Sequence, residues 1–332
     1  MEGKRRRFLI QTAGAATGIA TALLASRKTE AAPSDTIKPN SVLNVGVGSV
    51  LGPDVQMRVS GFERDLPYSL KWANFEASPP AMEALANGHL DIVLGGDTPL
   101  LSLATSPGRM VAVQARAQAL FAALLVPAGS SIHSVTELKG KRVAVYHGAG
   151  FQGSLIRILR EAGLRWSDIQ PIYLAPGDAM AAFTTGKVDA WGIWDPNAAI
   201  AQTQFGASIL SVPKPSGYGF QYANANSIAD PNKRAMILDY LTRSQRAADW
   251  IRTHPAQWAQ EVISSSHMPK NAALLSAGRT GGKYTPIDST LVEDMQREAN
   301  DFAELGVLPH RVDVRNAFDT RFDPALEKVF HG

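Results

Sequence analysis

Residues 148–153 read Gly-Ala-Gly-Phe-Gln-Gly, a G-x-G-x-x-G run placed directly after the apolar stretch Arg142-Val143-Ala144-Val145-Tyr146 and His147. Glycines at that spacing bring backbone N–H groups close to an anion, and a helix start adds its dipole to the attraction. A dinucleotide site needs more: an acidic residue about 20 positions on, at the end of the next strand, to hold a ribose hydroxyl. Here that strand ends Tyr173-Leu174-Ala175 and Asp178 lies past the turn, so the run favours an anion other than NAD. Asp97 and Asp195 each follow an apolar stretch and each precede a proline, Pro99 and Pro196. Arg279 stands in a Gly-rich segment, Gly278-Arg279-Thr280-Gly281-Gly282, where it is either a solvated loop residue or a bidentate clamp for an anion. Trp191 and Trp194 read as core residues by type, and Trp194, at the end of its strand, is the better candidate for the wall of an apolar pocket.

Other chemistry is excluded by what is missing. The chain has no cysteine, which removes disulfides, thiolate zinc sites, a thiol nucleophile and a lipid-modified cysteine. Its seven histidines form no H-E-x-x-H or paired spacing, and no G-x-S-x-G elbow occurs. The formal charge of +3 is also not a nucleic-acid footprint. Residues 1–31 carry most of the basic excess, in Lys4-Arg5-Arg6-Arg7, Arg27 and Lys28, and the remainder is close to neutral.

The basic start leads into Phe8–Ser26, which holds no charge and is rich in Ala, Gly and Thr, and then into Thr29-Glu30-Ala31-Ala32. That is the pattern of an export signal, and Arg5-Arg6-Arg7-Phe8-Leu9 resembles a twin-arginine signal. Residues 1–31 are therefore expected to be a signal peptide and 32–41 a spacer, with the mature chain free in a periplasm and not inserted in a membrane.

The elements that must position the candidate residues alternate. Apolar strands are predicted at 42–47, 69–72, 90–94, 110–113, 119–126, 142–146, 169–174, 188–194 and 219–225, with helices following Pro79, Pro99, the glycine loop and Asp178. After residue 231 the pattern is mainly helical. Strands alternating with helices predict a largely parallel α/β sheet. Ala-Asn-Gly-His-Leu-Asp-Ile-Val (86–93) and Thr-Thr-Gly-Lys-Val-Asp-Ala-Trp (184–191) share one pattern, and each runs into an aspartate-bearing loop. Two such copies predict two similar lobes with ligand loops at the carboxyl ends of their strands. The expected division is lobe 1 at 42–124 and 221–332, with lobe 2 (125–220) inserted and the two crossings acting as a hinge.

Leu138-Lys139-Gly140-Lys141-Arg142-Val143-Ala144-Val145, Tyr173-Leu174-Ala175-Pro176-Gly177-Asp178-Ala179 and Val188-Asp189-Ala190-Trp191-Gly192-Ile193-Trp194-Asp195-Pro196 resemble the periplasmic aliphatic-sulfonate-binding proteins of ABC importers. The wider group takes taurine, sulfate esters, nitrate and thiamine precursors. The likeness extends through Trp72, Phe75, Glu83-Ala84-Leu85 and Leu305-Gly306-Val307-Leu308-Pro309, nearly the whole mature chain. It implies a type II periplasmic binding protein: two α/β lobes, a mostly parallel sheet in each, joined by a two-strand hinge. It also implies an anion held by Gly96, Asp97, Thr98, the loop His147, Gly148, Ala149, Gly150, Phe151 and Gln152, Trp194 with Asp195, and Arg279. Gly150 stands where the family usually carries serine, and Ser78 where it usually carries glycine. The loop with Ser49 lacks the customary polar and aromatic residues, and Asn197 replaces a common aromatic. The resemblance therefore implies a rebuilt pocket.

The resulting expectation is a monomeric solute-binding protein with no cofactor and no enzymatic activity. It would capture a small organic anion, a sulfonate or sulfate ester, for an ABC permease and its ATPase. The alternatives are a non-thiol enzyme on the same scaffold, an NAD-binding oxidoreductase using Gly148–Gly153, and a ligand-sensing partner of a membrane receptor. Relatives of this fold include a desulfinase that uses cysteine, a chemistry closed to a chain without one.

Overall fold

Each half of the chain begins with a strand tied to an aspartate 47 residues further on. In the computed structural model, which describes residues 36–105, 108–117, 121–213 and 218–330, the Asp91 carboxylate accepts the Asn44 N–H (2.7 Å) and the Asp189 carboxylate accepts the Arg142 N–H (2.8 Å). The Asp91 and Asp189 N–H groups return bonds to the carbonyls of the same two residues. The repeated Gly-x-hydrophobic-Asp pattern is thus the same strand-pairing device used twice.

The first half runs β1 (Val42–Val47), α1 (Pro53–Ser60), β2 (Ser69–Asn74), α2 (Ser78–Ala86), β3 (Ile92–Gly95), α3 (Thr98–Thr105) and β4 (Met110–Ala117). The chain then builds β5 (Ala122–Val126), β6 (Arg142–Val145), α4 (Gly150–Glu161), β7 (Gln170–Tyr173), α5 (Pro176–Thr184), β8 (Ala190–Trp194), α6 (Asn197–Phe205) and β9 (Ser208–Ser211). It returns through β10 (Tyr218–Asn224), α7 (Ala225–Ala229), α8 (Pro231–Thr253), α9 (Pro255–Ser265), α10 (Lys270–Ala277), β11 (Lys283–Thr285), α11 (Ser289–Glu304) and α12 (Asp323–Phe330).

Two sheets result, ordered β11-β4-β10-β3-β1-β2 and β7-β6-β8-β5-β9. We call the bodies around them lobe 1 and lobe 2; both belong to one compact unit, residues 35–332. The sheets are mixed, with four of six strands in the first and four of five in the second running the same way. β10 lies antiparallel to β3 and β4, and β5 lies antiparallel to β8 and β9. Both are the strands on which the chain enters a sheet from the other one, so their direction follows from the crossing. The expected boundaries also move: the division at 124/125 falls inside β5, which pairs wholly in lobe 2, and Tyr218–Phe220 pair in lobe 1. The expected signal, residues 1–31, and the parts of the two crossings at 118–120 and 214–217 lie outside the described residues.

Each sheet is covered on both faces. Lobe 1 packs α2, α3 and α11 on one face around Leu85, Leu100, Phe220 and Phe302, and α8 on the other around Leu43, Met57, Tyr240 and Leu241. Ile156 of α4 is buried in the first of these clusters, so the core of lobe 1 includes a side chain from lobe 2. Burying such a side chain fully contributes about 1.5–3 kcal/mol.

Candidate functional site

The carboxyl ends of the two sheets enclose a cavity of about 250 Å³. Three helices start at its wall: α1 behind Gly52, α2 behind Ala77 and α4 behind Ala149. Glycine and alanine have no side-chain acceptor, and at none of the three starts does a side chain cap the helix. Pro53 in α1 and Pro79 and Pro80 in α2 carry no N–H, and the Asp54 carboxylate accepts the Val55 N–H in α1, so the first-turn donors left for an anion are the Ser78 N–H of α2 and the Gly150 and Phe151 N–H groups of α4. The rest of the wall is largely apolar, with Leu51, Leu94, Phe121, Phe151, Trp194 and Tyr218 contributing.

One charge stands out in that wall. Arg116, near the end of β4, is 2% exposed and lines the cavity. Its Nη2 donates to Ser244 Oγ (2.7 Å), and its Nε has no hydrogen-bond partner among the described residues. Burial pulls its pKa down to about 10, and the carboxylate that acts on it through space, Asp249, is itself paired with Arg252 at 2.5 Å.

The lobes touch across the cleft, and the glycine motif is where they do so. A Cβ at Gly150 would lie 3.2 Å from Gly96 Cα; one at Gly153 would lie 2.3 Å from Glu298 Oε1 and 2.9 Å from Thr98 Oγ1. Thr98 Oγ1 donates to the Gly150 carbonyl (3.2 Å) and accepts the Gly153 N–H (3.3 Å). Gly148 adopts φ 74°, a left-handed conformation that favours glycine. All three glycines of G-x-G-x-x-G are thereby accounted for by loop geometry and by the approach of lobe 1. Tyr222 Oη fixes the facing loop by donating to the Gly96 carbonyl (2.6 Å).

Two arginines clasp the lobes on either side. Arg157 of α4 reaches Asp97 (3.7 Å) and Glu298 of α11 (2.5 Å). Desolvation raises the pKa of Asp97, and desolvation together with the Asp97 charge pushes Glu298 up to about 8. Arg279, after α10, reaches Asp195 (3.6 Å), donates to Gln202 Oε1 (2.9 Å) and lies 3.9 Å over the Phe121 ring. Burial pushes Asp195 up to about 6.

Of the residues expected from sequence, Ser49, Ser78, Gly96, Asp97, Ala149, Gly150, Phe151 and Trp194 line the cavity. The others stand behind it. Thr98 joins the lobes, and Gln152 accepts the Gly148 N–H (2.7 Å) within its own loop. His147 stands edge-on to Tyr173 with centroids 5.0 Å apart. Asp195 accepts the Ala199 N–H at the start of α6 (3.1 Å), and Arg279 is engaged by Asp195 and Gln202. Sequence reasoning missed Arg116, although it is the one charged residue between Met110 and Val126, and it missed Phe121 and Tyr218, which come from the crossings.

Two mixed α/β sheets joined by two crossings, with a cavity between their carboxyl edges, are the architecture of the periplasmic binding proteins. Residues 75–258 match the NMT1/THI5-like family model, and the chain belongs to that family. A protein of Escherichia coli (strain K12) named for aliphatic sulfonate binding is 32% identical over 273 residues, 81% of this chain and 84% of its own. The crystal structure of the periplasmic aliphatic sulphonate binding protein SsuA from Escherichia coli superposes with a TM-score of 0.72 at 28% identity, covering 84% of this chain and 92% of that one. The alkanesulfonate-binding SsuA of Xanthomonas axonopodis pv. citri, bound to MOPS, gives 0.75 at 26% identity, covering 85% and 99%. Among the described residues no helix is long and apolar enough to cross a membrane.

Proposed function

We propose that this chain is the substrate-binding component of an ABC importer and that it holds a small organic anion, a sulfonate or sulfate ester, between its lobes. The observation that carries the reading is the convergence of three helix starts without side-chain caps on one apolar interlobe cavity. Backbone N–H groups at helix ends suit a tetrahedral oxyanion, and apolar walls suit its organic tail. Names of relatives that bind aliphatic sulfonates support the ligand class. The mechanism is differential binding: a ligand that touches both lobes stabilises their contact, and a permease with its ATPase reads the closed form. The protein acts as a monomer free in the periplasm, exported by its twin-arginine-like leader, and performs no chemistry on the ligand.

The test is a thermal-shift and calorimetric screen with alkanesulfonates, aromatic sulfonates, sulfate esters, taurine, nitrate and NAD. A ligand well above its Kd should add a few kcal/mol of apparent stability, about 2.7 at a hundredfold excess over Kd. A response to sulfonates or sulfate esters supports the reading. A response to NAD alone, or to none of the panel, sinks it.

A further inference from the structure

The start of α2 lies on one side of the cavity, and Arg116 lies on the other. Gly95 pairs with Phe220, which pairs in turn with Ala115, so the end of β3 and the Arg116 turn of β4 lie on one row across the sheet. β1 lies one strand beyond β3. Past its end, Gly48 packs against the start of α2, where a Cβ would come 3.3 Å from Ser78 N. From β1 to β4 is three strand spacings, about 14 Å. The cavity is lined at both limits, by Gly48 and Ser78 on one side and by Arg116 and Gly282 on the other, with Phe121, Trp194 and other apolar groups between them. A single sulfonate group does not span that distance.

An arginine stays ionised at neutral pH, and a buried ion without a counter-ion is costly to keep. Arg116 has five N–H donors and makes one side-chain hydrogen bond, to a neutral hydroxyl. The carboxylate that acts on it through space, Asp249, is engaged by Arg252, and Gln114 and Gln221, which face each other across β4 and β10, are neutral and buried. The charge on this wall faces an apolar space across the cavity from the start of α2.

Resting on the anion-binding reading above, we propose that Arg116 forms a second anion subsite in this cavity. The preferred ligand then carries a sulfonate or sulfate ester at one end and a carboxylate at the other, across a short apolar or aromatic spacer. The start of α2 takes the first group and Arg116 the second.

Calorimetry on the full-length chain tests this with three probes of one shape: 4-sulfobenzoate, its methyl ester and benzenesulfonate. The aliphatic pair 4-sulfobutanoate and butanesulfonate is run beside them. In at least one series the free carboxylate should bind ten times or more tighter than its uncharged counterpart. Arg116→Gln should abolish that preference while leaving the Kd of the monosulfonate within about twofold, which also shows that the variant folds. If the variant does not fold, the comparison of acid with ester in the unsubstituted protein decides alone. Equal binding of acid and ester, with no gain in the aliphatic pair, overturns the second subsite but leaves the importer reading standing. Loss of benzenesulfonate binding as large as that of sulfobenzoate also overturns it, because Arg116 would then hold the sulfonate itself. Absence of binding by every sulfonate fails both readings.

Discussion

Asp97 and Asp195 hold equivalent places in the two lobes, and each receives an arginine from the opposite lobe. Asp97 Oδ1 accepts the Thr98 N–H at the start of α3 (2.8 Å), and Asp195 Oδ1 accepts the Ala199 N–H in α6. The Oδ2 of each is buried without a hydrogen-bond partner among the described residues; Arg157 faces that oxygen in Asp97, whereas Arg279 faces Oδ1 of Asp195. The surroundings then diverge. Arg157 serves two buried acids, Asp97 and Glu298, whereas Arg279 serves one acid, one neutral amide and an aromatic ring. The first clasp is neutral when one of its acids holds a proton; the second is balanced at neutral pH. A shared pattern in sequence has produced one proton-dependent contact and one that titrates less.

The largest expected effect tests that asymmetry directly. Arg157→Met leaves the buried acids Asp97 and Glu298 with no cation and should cost about 3–5 kcal/mol in urea unfolding at neutral pH. Arg279→Met should cost less, about 1–3 kcal/mol, from a lost ion pair and ring contact. Equal losses would break the comparison.

Next comes Gly153→Ala. Its methyl group would fall against Glu298 and Thr98, so the lobes must separate or shift, at about 1–3 kcal/mol for overpacking. Ligand affinity should fall about tenfold or more at unchanged secondary structure, read by calorimetry and circular dichroism.

The pH dependence sharpens the contrast further. Glu298 holds its proton in the folded protein up to about pH 8, against an ordinary value of 4.5. Its contribution is therefore fully present below about pH 4.5 and is lost as pH rises towards 8, where the folded protein also ionises. Tm should fall across that window, and Glu298→Gln should flatten the slope. Asp195, raised only to about 6, gives a narrower window between its ordinary 3.8 and 6, so Asp195→Asn should change the slope less and at lower pH. The smallest effect is Phe121→Leu, which removes the ring beneath Arg279 and should cost about 0.5–1 kcal/mol beyond its packing.

Much of the fold was legible. The strands at β1, β6 and β8, the long helix α8 and the paired Gly-x-hydrophobic-Asp segments all follow from local pattern, because strand and helix periods are properties of neighbouring residues. β9, α6 and α10 were not read: they are short, 4, 9 and 8 residues, and too brief to show a period. The site was half legible: loops at strand ends are recognisable in one dimension, and eight of the expected residues do line the cavity. Arg279 reads either as a solvated loop residue or as an anion clamp, and the structure places it against Asp195 and Gln202.

Sequence by itself determined the class of molecule: two α/β halves, strand-end loops without a thiol, and a glycine-rich loop at a helix start. Tertiary structure decided which charges meet. Asp97 and Arg157 are 60 positions apart and Asp195 and Arg279 are 84 apart, so no spacing rule could pair them. Arg116 acquired its place in the cavity only because β4, β10 and α8 bury it together, where a charge is defined by the water it has lost and the partners within reach.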